Sequence, residues 1–274
     1  MLRNIRILFL LFTLSLLLCL GAQPASAQTS DPACASDSKD FTPWLDAFDS
    51  AQGEATAKVL IDGEPASADG YFALVDNGEV ANSDYFLQIT FVEDGYEDFI
   101  AVLVKDDVAA FYEGGWEVDH RDYAYDAADI EDAYMQLDSF LTAAFQDLRF
   151  IDMSQCLGVE ALPTGDAFHY KLSIPPLLGR MLFSQLTGES LDDVEFGEFT
   201  LDYWLDVEDR FLAQLNAIIE ATDTYAEETI RFDLTLTFTS TDNVKLQLPY
   251  QVQLMAMEQG IIQPDLVSEI VVVE

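Results

Sequence analysis

The sequence predicts an α+β fold in which a curved antiparallel sheet, a half-open β-barrel, wraps around a few helices. Three observations carry this expectation. Over residues 55–119 strand-like runs are punctuated by turn signals at short intervals. Over 199–248 apolar and polar residues alternate with the period of a strand. Over 128–148 the apolar residues recur instead at helical spacing.

The chain opens with Arg3 and Arg6, an almost wholly apolar run over 7–20, and Ala25-Ser26-Ala27. These are the three zones of a secretory signal peptide, with cleavage expected after Ala27. The apolar run of about 14 residues is shorter than the roughly 20 that a membrane span requires. Cys19 follows Leu18, where a bacterial lipoprotein signal carries Gly, Ala or Ser. The protein is therefore expected to be secreted or periplasmic and not lipid-anchored.

With 12 basic and 50 acidic side chains the net charge is −38, and loss of Arg3 and Arg6 with residues 1–27 takes it to −40. Nucleic acid and anionic membrane surfaces are repelled by such a charge, which argues against both as partners. Half of the residues are hydrophobic, enough to build a core with the carboxylates outside. An exterior of this kind suits high salt or divalent cations. Cys34 and Cys156 remain after cleavage, and in an oxidising compartment a lone pair of cysteines bridges.

Residues 28–39 are small and polar, a flexible leader before a single domain over 40–274. Thr42 as N-cap and Pro43 in the first turn predict a helix over 41–52, with Phe41, Trp44, Leu45 and Phe48 on one face. Asp62-Gly63, Asp76-Asn77-Gly78, Glu93-Asp94-Gly95 and Glu113-Gly114-Gly115 then mark consecutive hairpins. In Tyr85-Phe86-Leu87-Gln88-Ile89-Thr90-Phe91 the odd positions are apolar and give one strand a buried face. The run over 99–104 is apolar at every position, as in a strand covered on both sides.

Ile130, Tyr134, Leu137, Leu141, Phe145 and Leu148 form the apolar stripe of a long helix over 128–148. Phe168, Tyr170, Leu172 and Ile174 follow as a strand that Pro175-Pro176 stops. A short apolar segment over 177–186 reads as a helix or a flap. The clearest alternation comes last: Phe199, Leu201, Tyr203 and Leu205; residues 211–219; and Phe232, Leu234, Leu236 and Phe238. Val244, Leu246 and Leu248 lead into Pro249, and an apolar end over 266–273 is expected at an edge or loosely docked.

No catalytic constellation stands out. GxSxG, a glycine-rich phosphate loop and HExxH are all missing from the sequence. Among fifty carboxylates, pairs such as Asp192-Asp193 and Glu227-Glu228 arise by chance and read as solvated surface. The run from Asp119 through His120 to Asp126, with Asp129, lacks the glycine and terminal Glu of an EF-hand and reads as a loop leading into a helix. His169 lies on the polar side of its strand and reads as exposed, and His120 has no second imidazole beside it. No metal, cofactor or enzymatic activity is expected.

The C-terminal half, from Gly197-Glu198-Phe199-Thr200-Leu201-Asp202-Tyr203-Trp204-Leu205-Asp206 and its acidic turn Val207-Glu208-Asp209, through the long strands over 210–220 and 230–238, to Val244-Lys245-Leu246-Gln247-Leu248-Pro249, resembles the periplasmic carriers of the LolA, LppX and LprG type. The segment over 165–174 is similar to the strand that precedes this ending. The resemblance covers most of residues 40–250 and implies a half-open barrel whose concave side is plugged by helices. Many members of the LppX and LprG branch are lipid-anchored, from which this chain departs. It further implies a non-enzymatic carrier that binds a lipid or lipoprotein acyl chain and meets an envelope protein partner.

On that implication the ligand lies against Tyr85, Leu87, Ile89, Phe91, Phe199, Leu201, Tyr203, Phe232, Leu234 and Leu236 on the sheet, and Tyr134, Leu137 and Leu141 on the long helix. The same side chains equally suit a filled core. In that case the protein is an acidic envelope interaction or cation-binding module without a lipid.

Overall fold

The computed structural model describes residues 34, 40–61, 64–75, 83–93, 95–123, 142, 145, 150–177, 180, 194–224 and 228–262. Among these, one antiparallel sheet of 11 strands dominates. Its first meander runs through β1 (Ser50–Ile61), β2 (Glu64–Val75), β3 (Asp84–Glu93), β4 (Tyr96–Lys105), β5 (Val108–Glu113) and β6 (Trp116–His120). Its second runs through β7 (Gln155–Leu162), β8 (Gly165–Ser173), β9 (Val194–Asp206), β10 (Leu212–Asp223) and β11 (Glu228–Ser240). The two join where β1 pairs β11, with Ala55 opposite Leu236 and Ala57 opposite Leu234. β6 and β7 stand at the two ends, so the sheet is open, in keeping with a half-barrel.

Gly95 and Gly114-Gly115 fall between successive strands as expected, while Asp62-Gly63, Asp76-Asn77-Gly78 and Asp94 lie outside the described residues. Gly95 and Gly114 take φ of 77° and 73°, which an L side chain rarely adopts. One turn carries no glycine signal. Asp106 and Asp107 join β4 to β5, Asp106 has φ of 53°, and its N–H donates to Asp84 Oδ1 at 2.8 Å. Asp84 is itself buried and accepts from Lys105 Nζ at 3.3 Å. Burial works to lower the Lys105 pKa, but Asp84 and Asp106 together outweigh it and raise the value above that of an ordinary lysine.

Among the described residues the helices are short, and the protein is mostly β. The helix expected over 41–52 is cut to a single turn, α1 (Trp44–Ala47), with Pro43 at the N-cap and no side-chain cap. The reason is β1, which begins at Ser50 and draws Ser50, Ala51 and Gln52 into ladder pairs with Val75, Leu74 and Ala73 of β2. Trp44 nevertheless does what its position suggests. It is 3% exposed and donates from Nε1 to the Leu212 carbonyl at 2.9 Å, while Phe41 is buried and Phe48 half-buried beside it.

The ending is also corrected. Residues 243–249 form no strand, and a helix missed in the sequence follows, α3 (Tyr250–Glu258), with α2 (Phe150–Met153) as the remaining short helix. Val252 and Ala256, four residues apart, are fully buried against Leu103, Val108, Ala110 and Val118. On the other side Val102 and Val104 pack with Tyr85 and Leu74. β4 is thus covered on both faces, as its apolar run requires.

Cys34 and Cys156 form a disulfide with Cα atoms 6.3 Å apart. The turn after β9 explains the acidic motif there: Asp206 Oδ1 accepts from the N–H groups of Glu208 and Asp209 at 2.8 and 2.7 Å. Residues 1–27, nearly all of the 28–39 leader, the tail over 266–273, most of 177–186 and most of 128–148 lie outside the described residues. Of the last segment Phe145 is described. It is buried, with ring centroids 4.8 Å from Phe41 and 4.9 Å from Tyr203.

Candidate functional site

Residues directly opposite on paired strands share a face, so the register maps one face of the whole sheet. One row runs Ile89, Gly70, Ala55, Leu236, Leu215, Tyr203, Tyr170 across β3, β2, β1, β11, β10, β9 and β8. The next runs Phe91, Ala68, Ala57, Leu234, Ala217, Leu201, Leu172. Leu87 and Tyr85 continue the face on β3 opposite Phe72 and Leu74, and Phe232 and Phe199 continue it on β11 and β9, each opposite Ile219 of β10. All ten sheet residues selected in the sequence therefore lie on one apolar face. Tyr134, Leu137 and Leu141 lie outside the described residues.

The face has relief. β1 and β2 present Gly53, Ala55, Ala57, Ala66, Ala68 and Gly70, with Val59 opposite Ala66 at one end, whereas the flanking strands present Leu87, Ile89 and Phe91 on one side and Phe232, Leu234 and Leu236 on the other. Small side chains between two large-residue ridges make a trough. The ridges are three interstrand spacings apart, about 14 Å. One end is stopped by aromatic rings: Phe72 reaches over Gly53, where a Cβ would collide with it, and meets Phe238 edge to face at 5.3 Å. Phe48 and Trp44 pack on Phe238 from the α1 side.

Packing divides the face in two. Across β9 and β10, Leu201, Tyr203, Leu215, Ala217 and Ile219 are 8% exposed or less, covered with Phe41, Phe145, Phe150 and Ile151 in one cluster. Along the trough the floor alanines Ala57 and Ala68 and the ridge residue Phe232 are buried, but Leu87, Ile89, Phe91, Leu234 and Leu236 are only half-buried, the last two packed against that same cluster. The floor was missed in the sequence. Its signal was there, as glycine and alanine at alternate positions over 53–57 and 66–70.

The reverse face holds a polar cluster that corrects the expectation for His169. That side chain is 13% exposed, with Nδ1 2.8 Å from Glu160 Oε1 and Nε2 3.1 Å from Asp202 Oδ1. Its ring stacks on Trp204 at 4.1 Å and 16°. Trp204 Nε1 donates to Glu160 Oε2 at 2.9 Å, and Lys171 Nζ to Asp202 Oδ2 at 3.2 Å. The bonds from Trp204 and then His169 hold the Glu160 carboxyl below its ordinary pKa. Polar-face alternation placed His169 on the correct side but could not show that neighbouring strands surround it.

Near His120, a 3₁₀ turn over Arg121–Tyr123 closes the described part of the acidic run, and Arg121 Nη2 donates to the Ser83 carbonyl at 2.8 Å. No group of three or more His, Cys, Asp or Glu side chains suited to a metal occurs among the described residues. Asp192, Asp193 and Glu227 lie outside them. No described helix is long and apolar enough to cross a membrane.

No protein-family profile matches the chain, and no curated protein matches it either. Solved structures that resemble it include a DUF1329 family protein from Desulfovibrio piger, at 12% identity, covering 74% of this chain and 89% of that one, with a TM-score of 0.25. A protein assigned as AttH from Nitrosomonas europaea matches at 7% identity over 82% of this chain and 60% of that one, with a TM-score of 0.22.

Proposed function

We propose that this protein is an exported, non-enzymatic carrier that holds an apolar ligand, a lipid or a lipoprotein acyl chain, in the trough on the concave side of a half-open barrel. The observation that carries the reading is the contrast across the apolar face. Five large ridge residues stay half-buried beside the alanine floor, while equivalent positions on β9 and β10 are filled. An acyl chain laid along the floor gains about 0.8 kcal/mol for each methylene it buries, and six methylenes offset about 5 kcal/mol of ordering cost. The resemblance of the C-terminal half to the LolA, LppX and LprG carriers agrees with this reading.

On the same reading residues 1–27 are removed after Ala27 and the mature protein is soluble, free of a lipid anchor, and able to shuttle. The Cys34–Cys156 bridge fits an oxidising, extracytoplasmic compartment. An envelope protein that donates or accepts the ligand is the expected partner.

A second reading, an acidic interaction or cation-binding module with a filled core, is favoured by the close packing over β9 and β10 and by the net charge. Native mass spectrometry with organic extraction of the purified protein separates the two. A co-purified lipid, or saturable uptake of a fluorescent fatty acid, supports the carrier. A clean protein mass with no uptake sinks it and leaves the acidic module.

A further inference from the structure

The imidazole of His169 faces a carboxylate at each ring nitrogen, and neither carboxylate is free to turn away. Glu160, from β7, is held at its other oxygen by Trp204 Nε1, and Asp202, from β9, is held at its other oxygen by Lys171 of β8. The ring itself is fixed by its stack on Trp204. An imidazolium donates from both nitrogens and satisfies both carboxylates. A neutral imidazole has one donor, so its remaining lone pair must point at a carboxylate oxygen about 3 Å away. Trp204 Nε1 ties Glu160 of β7 to β9 in either state, but the imidazole of β8 joins both carboxylates at once only when it is protonated.

We propose that the Glu160–His169–Asp202 bridge is a proton-dependent fastener for edge strand β7. That strand is the element able to yield: it stands at the end of the sheet, pairs with β8 alone among the described strands, and its register shifts between Cys156 and Gly158. Its other face carries Cys156, opposite Tyr170 in the row that crosses the apolar side, and through Cys156 the bridge to Cys34. The protonation state of a side chain on the reverse face thereby sets how firmly the β7 border of the apolar face is held. The inference stands whether or not a lipid occupies the trough.

Hydrogen exchange over residues 155–162 of the intact, oxidised protein tests it, measured from pH 5.5 to 8.5 and corrected for the intrinsic pH dependence of exchange. The two imidazoles, His120 and His169, are followed in parallel by NMR. Protection of β7 is expected to fall about tenfold, the loss of one charge-assisted hydrogen bond, in step with the titration of His169 and not of His120. His169→Gln, which carries no titratable group, is expected to show reduced protection that no longer changes over this range. Protection that stays level through the His169 titration overturns the proposal, as does an unchanged pH dependence in His169→Gln. If that variant does not fold, agreement or disagreement with the His169 titration in the unsubstituted protein decides.

Discussion

Ala55 of β1 lies directly opposite Leu236 of β11, and this pair marks both the seam between the two meanders and the border between trough floor and ridge. A methyl group facing an isobutyl group leaves a step in the surface. The step is repeated at Ala57 with Leu234 and ends where Val59 faces Phe232.

Filling the step is expected to abolish ligand uptake without unfolding the sheet. Ala55 is half-buried, so Ala55→Phe places a ring over the floor rather than into closed packing. On the carrier reading, titration with a fluorescent fatty acid shows at least a tenfold loss of affinity, about 1.4 kcal/mol. Thermal melting monitored by circular dichroism checks that the fold survives. Equal uptake by the variant removes the trough as the site.

Trp44 ties the single turn of α1 to β10 through Leu212 and closes on Phe238 at 5.1 Å. Trp44→Ala is expected to destabilise by about 3–5 kcal/mol, the usual range for deleting a buried aromatic side chain. Trp44→Phe keeps most of the ring contact but leaves the Leu212 carbonyl without this donor, and is expected to cost about 1–2 kcal/mol. Urea unfolding measures both.

The Cys34–Cys156 bridge closes a loop with a sequence separation of 122. Its removal in the double variant Cys34→Ser, Cys156→Ser is expected to cost about 2–5 kcal/mol, chiefly through the freer unfolded chain. Comparing urea midpoints of the oxidised protein, the reduced protein and the variant checks this. The last two are expected to agree.

Acidification should be felt at Glu160. Its pKa is lowered in the folded state by the bonds from Trp204 and His169, so its contribution is present above the ordinary carboxylate value and is lost as pH falls through the lowered one. The stability gap between the unsubstituted protein and Glu160→Gln is therefore expected to shrink as pH falls from about 5 towards 3. Denaturant midpoints across that range measure it. A constant gap means that the carboxylate charge contributes nothing.

The legible parts of this protein were those written in local periodicity. Apolar residues recur at every second position from Tyr85 to Phe91 and alternate with polar ones from Phe232 to Leu236, and side chains two apart on a strand must share a face, whatever the strand pairs with. The turn signals likewise act over four residues. What failed had competing local readings. Thr42-Pro43 is a sound helix start, but Ser50 to Gln52 are worth more in the ladder with β2. Val244 to Leu248 alternates like a strand yet has no partner strand among the described residues, while α3 is recognisable only once a reverse face exists for Val252 and Ala256 to cover.

The sequence by itself determined which residues could form strands, which of them shared a side, and that two cysteines were available to bridge. Only the tertiary structure decided that β1 lies against β11, because pairing joins residues far apart in the chain through backbone hydrogen bonds that carry no local signature. That one adjacency turns the glycine and alanine positions of two unremarkable strands into a floor between ridges. Pairing of the successive strands β7, β8 and β9 brings Glu160, His169 and Asp202 within hydrogen-bond reach on the other side of the sheet.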